Sequence, residues 1–250
     1  MTTFYVGASS LEEGQPINEC CTFRGSIAKL DLRTGAILWQ TFTLPDNRGQ
    51  RGQYAGAAVW GSSPSIDVRR KLFYVATGNL YSAPAEVLEC QERQNNMTVP
   101  DNPNPCIKAE NRGNSIMAVD MERGEIRWSR VLGGYDVWII ACINRTDENC
   151  PPGPGVDADF GEAPMLLTAA LRNGSRRDVS VAVQKSGVAW ALDRDNGETV
   201  WSSVAGPGGF AGGGTWGVAT NGEIVYTNIA NDRRRNFRLK PSQQVTTGGG

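Results

Sequence analysis

The sequence predicts an all-β chain of repeated four-stranded units, the pattern of a β-propeller, and three observations predict it. A frame of Asp, then Gly four residues on, then Trp four further on occurs three times, at Asp31–Gly35–Trp39, Asp120–Gly124–Trp128 and Asp193–Gly197–Trp201. Short strand-like runs flank each frame, and no helix-period stretch stands out. Glycine supplies 30 of the 250 residues, as a turn-rich β fold requires. A repeat at fixed offsets is the signature of stacked units.

Each residue type in the frame has a physical reason. The Asp carboxylate accepts hydrogen bonds from backbone amides just ahead of it and so starts a turn. The Gly supplies the positive φ of a tight, bulged hairpin. The Trp lands at one place on the returning strand, where a large ring wedges against the neighbouring unit. A ring repeated in every unit reads as packing rather than chemistry.

In chain order, FYVGAS is a strand, followed by a polar loop with Glu12, Glu13 and the pair Cys20–Cys21; SIAKLD and AILWQTFT then complete a partial unit over residues 3–43. A full unit over 61–132 takes GSSPSID, KLFYVATG, SIMAVD and EIRWSRVL. An insertion at 80–114 interrupts it, and Pro100, Pro103, Pro105 and several Asn mark that stretch as loop or cap material. The next unit, 163–206, is APMLLTAAL, DVSVAVQ, GVAWALD and ETVWSSVA. TWGVATN and EIVYTNIA open another over 214–250, before the chain turns basic and polar and ends on Gly248-Gly249-Gly250. Propellers close with about four to eight blades. With both ends falling inside a unit, residues 1–250 are expected to form a single partial propeller, an incomplete arc of about three to four blades.

Composition narrows the function classes. The net charge of −1 gives no electrostatic reason to expect nucleic acid or membrane partners. No apolar run reaches the roughly 18 residues of a membrane span. With no His in the chain, His-based triads, His metal sites and a c-type haem attachment motif are all excluded on this chain. The six cysteines fall into local pairs, Cys20 with Cys21, Cys90 with Cys106 and Cys142 with Cys150. The last two flank Pro- or Asn-rich loops as disulfide-closed insertions would; the alternative is reduced cysteine. Asn96-Met97-Thr98, Asn144-Arg145-Thr146 and Asn173-Gly174-Ser175 are glycosylation acceptors that agree with a secretory route. The expectation is a secreted or extracellular glycoprotein, although Met1 leads straight into an interior-type strand with no signal peptide before it.

The runs CCTFRGSIAKLD, AAVWGSSPSID, LFYVATGNLY, DADFGEAP and QKSGVAWALD, in this order, carry a resemblance over nearly the whole chain. They resemble the quinoprotein alcohol dehydrogenases, eight-bladed propellers that bind pyrroloquinoline quinone on the axis. The resemblance is greatest to the polyvinyl-alcohol-dehydrogenase-like branch, including its plant members. It implies hydride transfer from an alcohol group to calcium-bound pyrroloquinoline quinone, a small-molecule or polymeric alcohol as substrate, and a separate electron acceptor.

The resemblance also implies roles for particular residues. Glu13 and Asn79, with Asp159, match oxygen ligands of the calcium ion. Asp159 matches the general base that takes the alcohol proton, with Asp157 as a near alternative. Lys185 matches a residue that contacts the quinone oxygens and stabilises the reduced ring. Arg24 matches an Arg that pairs with a cofactor carboxylate. Trp60 would stack on the planar cofactor, and Trp216 is a further pocket residue. Cys20–Cys21 resembles the vicinal disulfide that lies against the cofactor in alcohol quinoproteins, but in a different blade's loop. Bland readings stand beside these: solvated loop acids for Glu12 and Glu13, a turn-former for Asn79, loop carboxylates for Asp157 and Asp159, and a core ring for Trp60. An arc lacking blades would keep candidate ligands without full activity. The alternative function is a non-catalytic secreted propeller that binds proteins or carbohydrate.

Overall fold

Each Asp–Gly–Trp frame folds as its side-chain chemistry dictates. Oδ1 of Asp31 accepts the amides of Arg33 and Thr34, Oδ1 of Asp120 those of Glu122 and Arg123, and Oδ1 of Asp193 that of Asp195. Gly35, Gly124 and Gly197 follow at φ 71°, 72° and 72°. In each hairpin the strand register shifts just before the Asp, at Lys29/Leu30, Ala118/Val119 and Ala191/Leu192, which is the bulge that the Gly accommodates. The computed structural model describes residues 2–249 other than 17, 62, 145 and 172. Ser62 of the GSSPSID run and Arg145 of the second glycosylation tripeptide therefore lie outside the described residues.

The first sheet is antiparallel, β1 (Thr3–Ala8), β2 (Ser26–Asp31) and β3 (Ile37–Phe42) in that order. After β4 (Ala55–Gly56), the second sheet begins with β5 (Ser65–Asp67) and β6 (Leu72–Ala76). The chain then leaves it for β7 (Leu80–Ser82), which pairs back on β4, and for helix α1 (Ala85–Asn96). β8 (Ser115–Asp120) and β9 (Ile126–Val131) complete a four-stranded sheet in the order β5-β6-β8-β9. The third sheet is a four-stranded meander of β10 (Met165–Ala170), β11 (Arg176–Val183), β12 (Val188–Asp193) and β13 (Thr199–Val204). Beyond it lie two separate hairpins, β14 (Ala219–Thr220) with β15 (Val225–Tyr226) and β16 (Phe237–Arg238) with β17 (Val245–Thr246). This is an arc of propeller blades. Chemically, β1, β6 and β11 are equivalent, since each is followed in its sheet by the hairpin that carries the Asp–Gly–Trp frame.

The tryptophans join the blades. A Cβ placed on Gly124 would lie 2.6 Å from Trp39 Cε3, and one on Gly197 would lie 2.5 Å from Trp128 Cε3, so each ring rests on the turn glycine of the next blade. Trp128 Nε1 also donates to the Arg194 carbonyl, and Arg130 Nε to the Gly197 carbonyl. Apolar side chains fill the space between sheets: Ile27, Val59, Phe73 and Met117 on one side of the second sheet, Ile116, Phe160, Ala182 and Leu192 on the other. At the rim, Arg70 and Arg194 both pair with Asp67 and Asp178, tying the second blade to the third.

The insertion corrects one expectation. A helix stands where the sequence shows no helical period. Of its residues Val87, Gln91 and Gln94 are buried, so it lacks an apolar stripe. Polar bonds hold it instead: Gln94 exchanges bonds with Asp101, and Gln91 accepts from Asn104. The Cys90–Cys106 disulfide fastens it, and Cys20–Cys21 and Cys142–Cys150 are likewise bonded. Asn96, Asn144 and Asn173 are exposed. Among the described residues no helix is long and apolar enough to cross a membrane.

Candidate functional site

Topology brings the site together. The loops after the equivalent strands β1, β6 and β11 carry Glu13, Asn79 and Lys185. The loops that enter the first strands of the second and third sheets carry Trp60 and the pair Asp157–Asp159. Backbone bonds lace these loops: Gly78 donates to Ala58, Ala57 to the Asn79 carbonyl, and Lys185 to the Asp159 carbonyl. Blade geometry therefore collects side chains that are far apart in sequence.

The centre is an ammonium between two carboxylates. Lys185 Nζ lies 2.9 and 3.1 Å from the two Asp157 oxygens and 3.3 Å from Asp159 Oδ2. All three side chains are largely buried. The other Asp159 oxygen accepts the Asn79 amide. Burial works against a charge on Lys185, but Asp159 and Asp157 outweigh it and its pKa is raised. Burial and the Asp159 charge push Asp157 well above the ordinary carboxylate range, against the pull of Lys185. Glu13 stands in the same field: burial first, then Asp159, raises its pKa, and Lys185 opposes them. One lysine does not offset three acids, so the centre has surplus acidic oxygen.

Asn79 shows what that surplus suits. Its Nδ2 donates to the carbonyls of Leu80, at 2.9 Å, and Trp138, at 2.7 Å, which fixes the orientation of the amide. Its Oδ1 is left buried with no hydrogen-bond partner. An unpaired buried acceptor costs free energy, on the order of 1–3 kcal/mol, and a hard cation taking oxygen donors would relieve it. Among the described residues no three Asp, Glu or Cys groups are arranged to hold a metal ion by themselves. Asn79 Oδ1, beside the Asp159 carboxylate, is the kind of oxygen donor a hard cation takes.

Trp60 forms one wall. Its ring centroid is 5.2 Å from Lys185 Nζ, and Trp216 meets it edge-on at 5.7 Å. Trp216 itself is 69% exposed and belongs to a shallower groove with Ser65 and Ile66. Cys20 and Cys21 are buried in one apolar cluster with Tyr81, Trp138 and Cys142. They touch the site through Trp138, which with Lys185, Val156 and Phe210 lines a cavity of about 560 Å³. Arg24 is engaged elsewhere: it pairs with Asp46, donates to the Leu44 carbonyl and lies 4.0 Å over the Phe42 ring. Glu12 is structural, its carboxylate accepting the amides of Thr22 and Phe23 beside the vicinal cysteines.

Two positioning residues escape a reading of the sequence. Asp136 is buried and accepts from Asn114 Nδ2 and from the amides of Val156, Asp157 and Ala158, so it shapes the loop that presents Asp157, itself at φ 62°. Glu162 is fully buried and accepts the amides of Val183 and Gly217, joining β11 to the Trp216 loop. Glu162 stands in the quoted DADFGEAP run, whereas nothing in GGYDVW sets Asp136 apart from an ordinary loop acid.

Comparison with known proteins adds the following. A polyvinylalcohol dehydrogenase of Pseudomonas sp is 34% identical over 223 residues, 85% of this chain and 30% of that protein. A polyvinylalcohol dehydrogenase of Sphingopyxis sp. (strain 113P3) is 32% identical over 227 residues, 86% of this chain and 30% of the relative. The chain thus spans about 30% of the length of these curated relatives. Among solved structures, a quinohemoprotein alcohol dehydrogenase from Comamonas testosteroni superposes with a TM-score of 0.59 at 17% identity, over 99% of this chain and 40% of that one. One from Pseudomonas putida HK5 gives 0.61 at 16%, over 98% and 38%. At these identities the structural likeness establishes the fold. No family model matches the chain.

Proposed function

This chain belongs to the quinoprotein alcohol dehydrogenase-like family of β-propellers, and on that premise we propose that the centre around Lys185 is the metal- and quinone-holding part of an alcohol oxidoreductase site. The observation that carries this reading is the unpartnered Asn79 Oδ1, buried beside a carboxylate pair that shares one ammonium. Asn79, Asp159 and Glu13 would hold calcium, and Trp60 and Lys185 would hold pyrroloquinoline quinone. When bound, the quinone supplies a hydride acceptor and the cation polarises its carbonyl.

The chain's own residues do the rest. Asp159 takes the hydroxyl proton of the alcohol, since an alcohol is a poor hydride donor until that proton leaves. Asp157 shares the same ammonium and keeps Lys185 charged and in place. Lys185 offsets negative charge that develops on the acceptor in a site shielded from water. Trp138 and Cys142 line the apolar side of the cavity, and the buried Cys20–Cys21 pair packs behind them in the same cluster. The substrate is a small or polymeric alcohol, and a separate acceptor takes the electrons. Three disulfides and exposed Asn-x-Ser/Thr sites support an oxidising, extracellular setting.

Calorimetric titration of pyrroloquinoline quinone, with calcium or with a chelator, tests the proposal. Calcium-dependent binding, lost in Asn79→Ala and weakened in Lys185→Met, is expected. Binding that ignores calcium and the Asn79 side chain would contradict it.

A further inference from the structure

The same loop position in the fourth unit carries a different chemistry. β15 pairs with β14 as β6 pairs with β5 and β11 with β10, so the segment after β15 corresponds to the loops that present Glu13, Asn79 and Lys185. That segment reads Asn231-Asp232-Arg233-Arg234-Arg235. It is a built turn. Asn231 is buried; its Oδ1 accepts the Arg235 amide at 2.9 Å, and its Nδ2 donates to the carbonyls of Arg235 and Thr247. Arg234 takes φ 47° between the two flanking arginines. Asp232 packs against Gly209, on the segment that donates to the Lys185 carbonyl.

Arg233 and Arg235 line the 560 Å³ cavity together with Lys185, Phe210 and Trp138. Lys185 is matched by Asp157 and Asp159, but neither arginine pairs with a carboxylate among the described residues. The lysine on the cavity lining is therefore already engaged, whereas the two guanidinium groups on its wall are, among the described residues, free of any carboxylate. Guanidinium groups bind carboxylates through paired charge-assisted hydrogen bonds, and the apolar rings beside them suit the body of the same molecule.

We propose that this cavity receives a carboxylate-bearing ligand anchored by Arg233 and Arg235. The carboxylate belongs either to the quinone cofactor or to an alcohol that carries an acid group. Only the choice between those two sources rests on the function proposed above; the anion site stands on the cavity itself.

The test titrates benzene-1,3,5-tricarboxylate into the wild-type chain and into an Arg233→Gln/Arg235→Gln variant, at low and high salt. Both side chains are exposed, so the fold is expected to survive, and circular dichroism checks it. Salt-sensitive binding that weakens at least tenfold in the double variant, with part regained in Arg233→Lys/Arg235→Lys, supports the site. No binding to the wild type, or equal binding to both, overturns it, whatever the quinone titration shows. Two further arms assign the source. A loss of affinity for pyrroloquinoline quinone in the double variant gives the carboxylate to the cofactor. A loss of affinity for glycolate, with quinone binding intact, gives it to the substrate. If both ligands bind the variant as they bind the wild type, the proposal is overturned for this family of ligands.

Discussion

Replacing the turn glycines one at a time measures how the blades are joined. Gly35, Gly124 and Gly197 share one conformation, with φ within a degree of 72°. An Ala at any of them bears the left-handed cost, about 1–2 kcal/mol. Their surroundings differ. A Cβ on Gly35 meets nothing within 4 Å, whereas on Gly124 it meets Trp39 Cε3 at 2.6 Å and on Gly197 Trp128 Cε3 at 2.5 Å. Those contacts are with the middle of a rigid indole, so the ring must lift and the blade interface must part, an overpacking cost of about 1–3 kcal/mol. Gly35→Ala is thus expected to lose about 1–2 kcal/mol, and Gly124→Ala and Gly197→Ala about 2–5 kcal/mol. Urea unfolding followed by tryptophan fluorescence reads all three, with the slope checked for constancy. Equal losses at the three positions would refute the idea that each ring is seated on the next blade's turn.

Other perturbations follow from single side chains. Burial pushes Glu162 up to about 7, against the two amides that favour its charge. A raised carboxyl stabilises the fold fully below its ordinary pKa and loses that contribution as pH rises through about 7. The wild type should therefore lose roughly 3 kcal/mol from this group between pH 4.5 and 8; Glu162→Gln should flatten that part of the urea-midpoint profile, and an unchanged profile would refute the assignment. Asp136→Ala strands the amides of Val156, Asp157 and Ala158 and should cost about 3 kcal/mol or more in the same assay, with Asp136→Asn costing less. Lys185→Met leaves Asp157 and Asp159 without their ammonium, and should cost about 3–5 kcal/mol without bound cation and less with calcium present, read as calcium-dependent thermal midpoints.

Much of this was legible in the sequence, for identifiable reasons. The Asp–Gly–Trp frame dictates a turn, a bulge and a ring position through local chemistry alone, and the hairpins at 31–35, 120–124 and 193–197 follow from it. Asn79, Asp159, Lys185 and Trp60 could be picked out because their runs resemble a family, and blade topology then brings them together. Helix α1 was hidden because side-chain amides and a disulfide hold it, not an apolar face. The partners of Arg24 were hidden for a related reason: a guanidinium takes whichever carboxylate the fold delivers, and here that is Asp46. The segment 214–250 forms two short hairpins where a blade begins, since DRRRNFRLK offers no apolar alternation to a sheet face. Asp136 could be seen only in three dimensions, because its partners lie about twenty residues away in loops without a repeat.

The measurement that bears most directly on the site is the crystal structure of the protein grown with calcium and pyrroloquinoline quinone, with the ion located by its anomalous signal. The account predicts an ion about 2.3–2.6 Å from Asn79 Oδ1, with Asp159 and Glu13 completing the oxygen set and Lys185 beside the quinone. An ion bound elsewhere, or quinone bound with Asn79 Oδ1 still facing no partner, would contradict it.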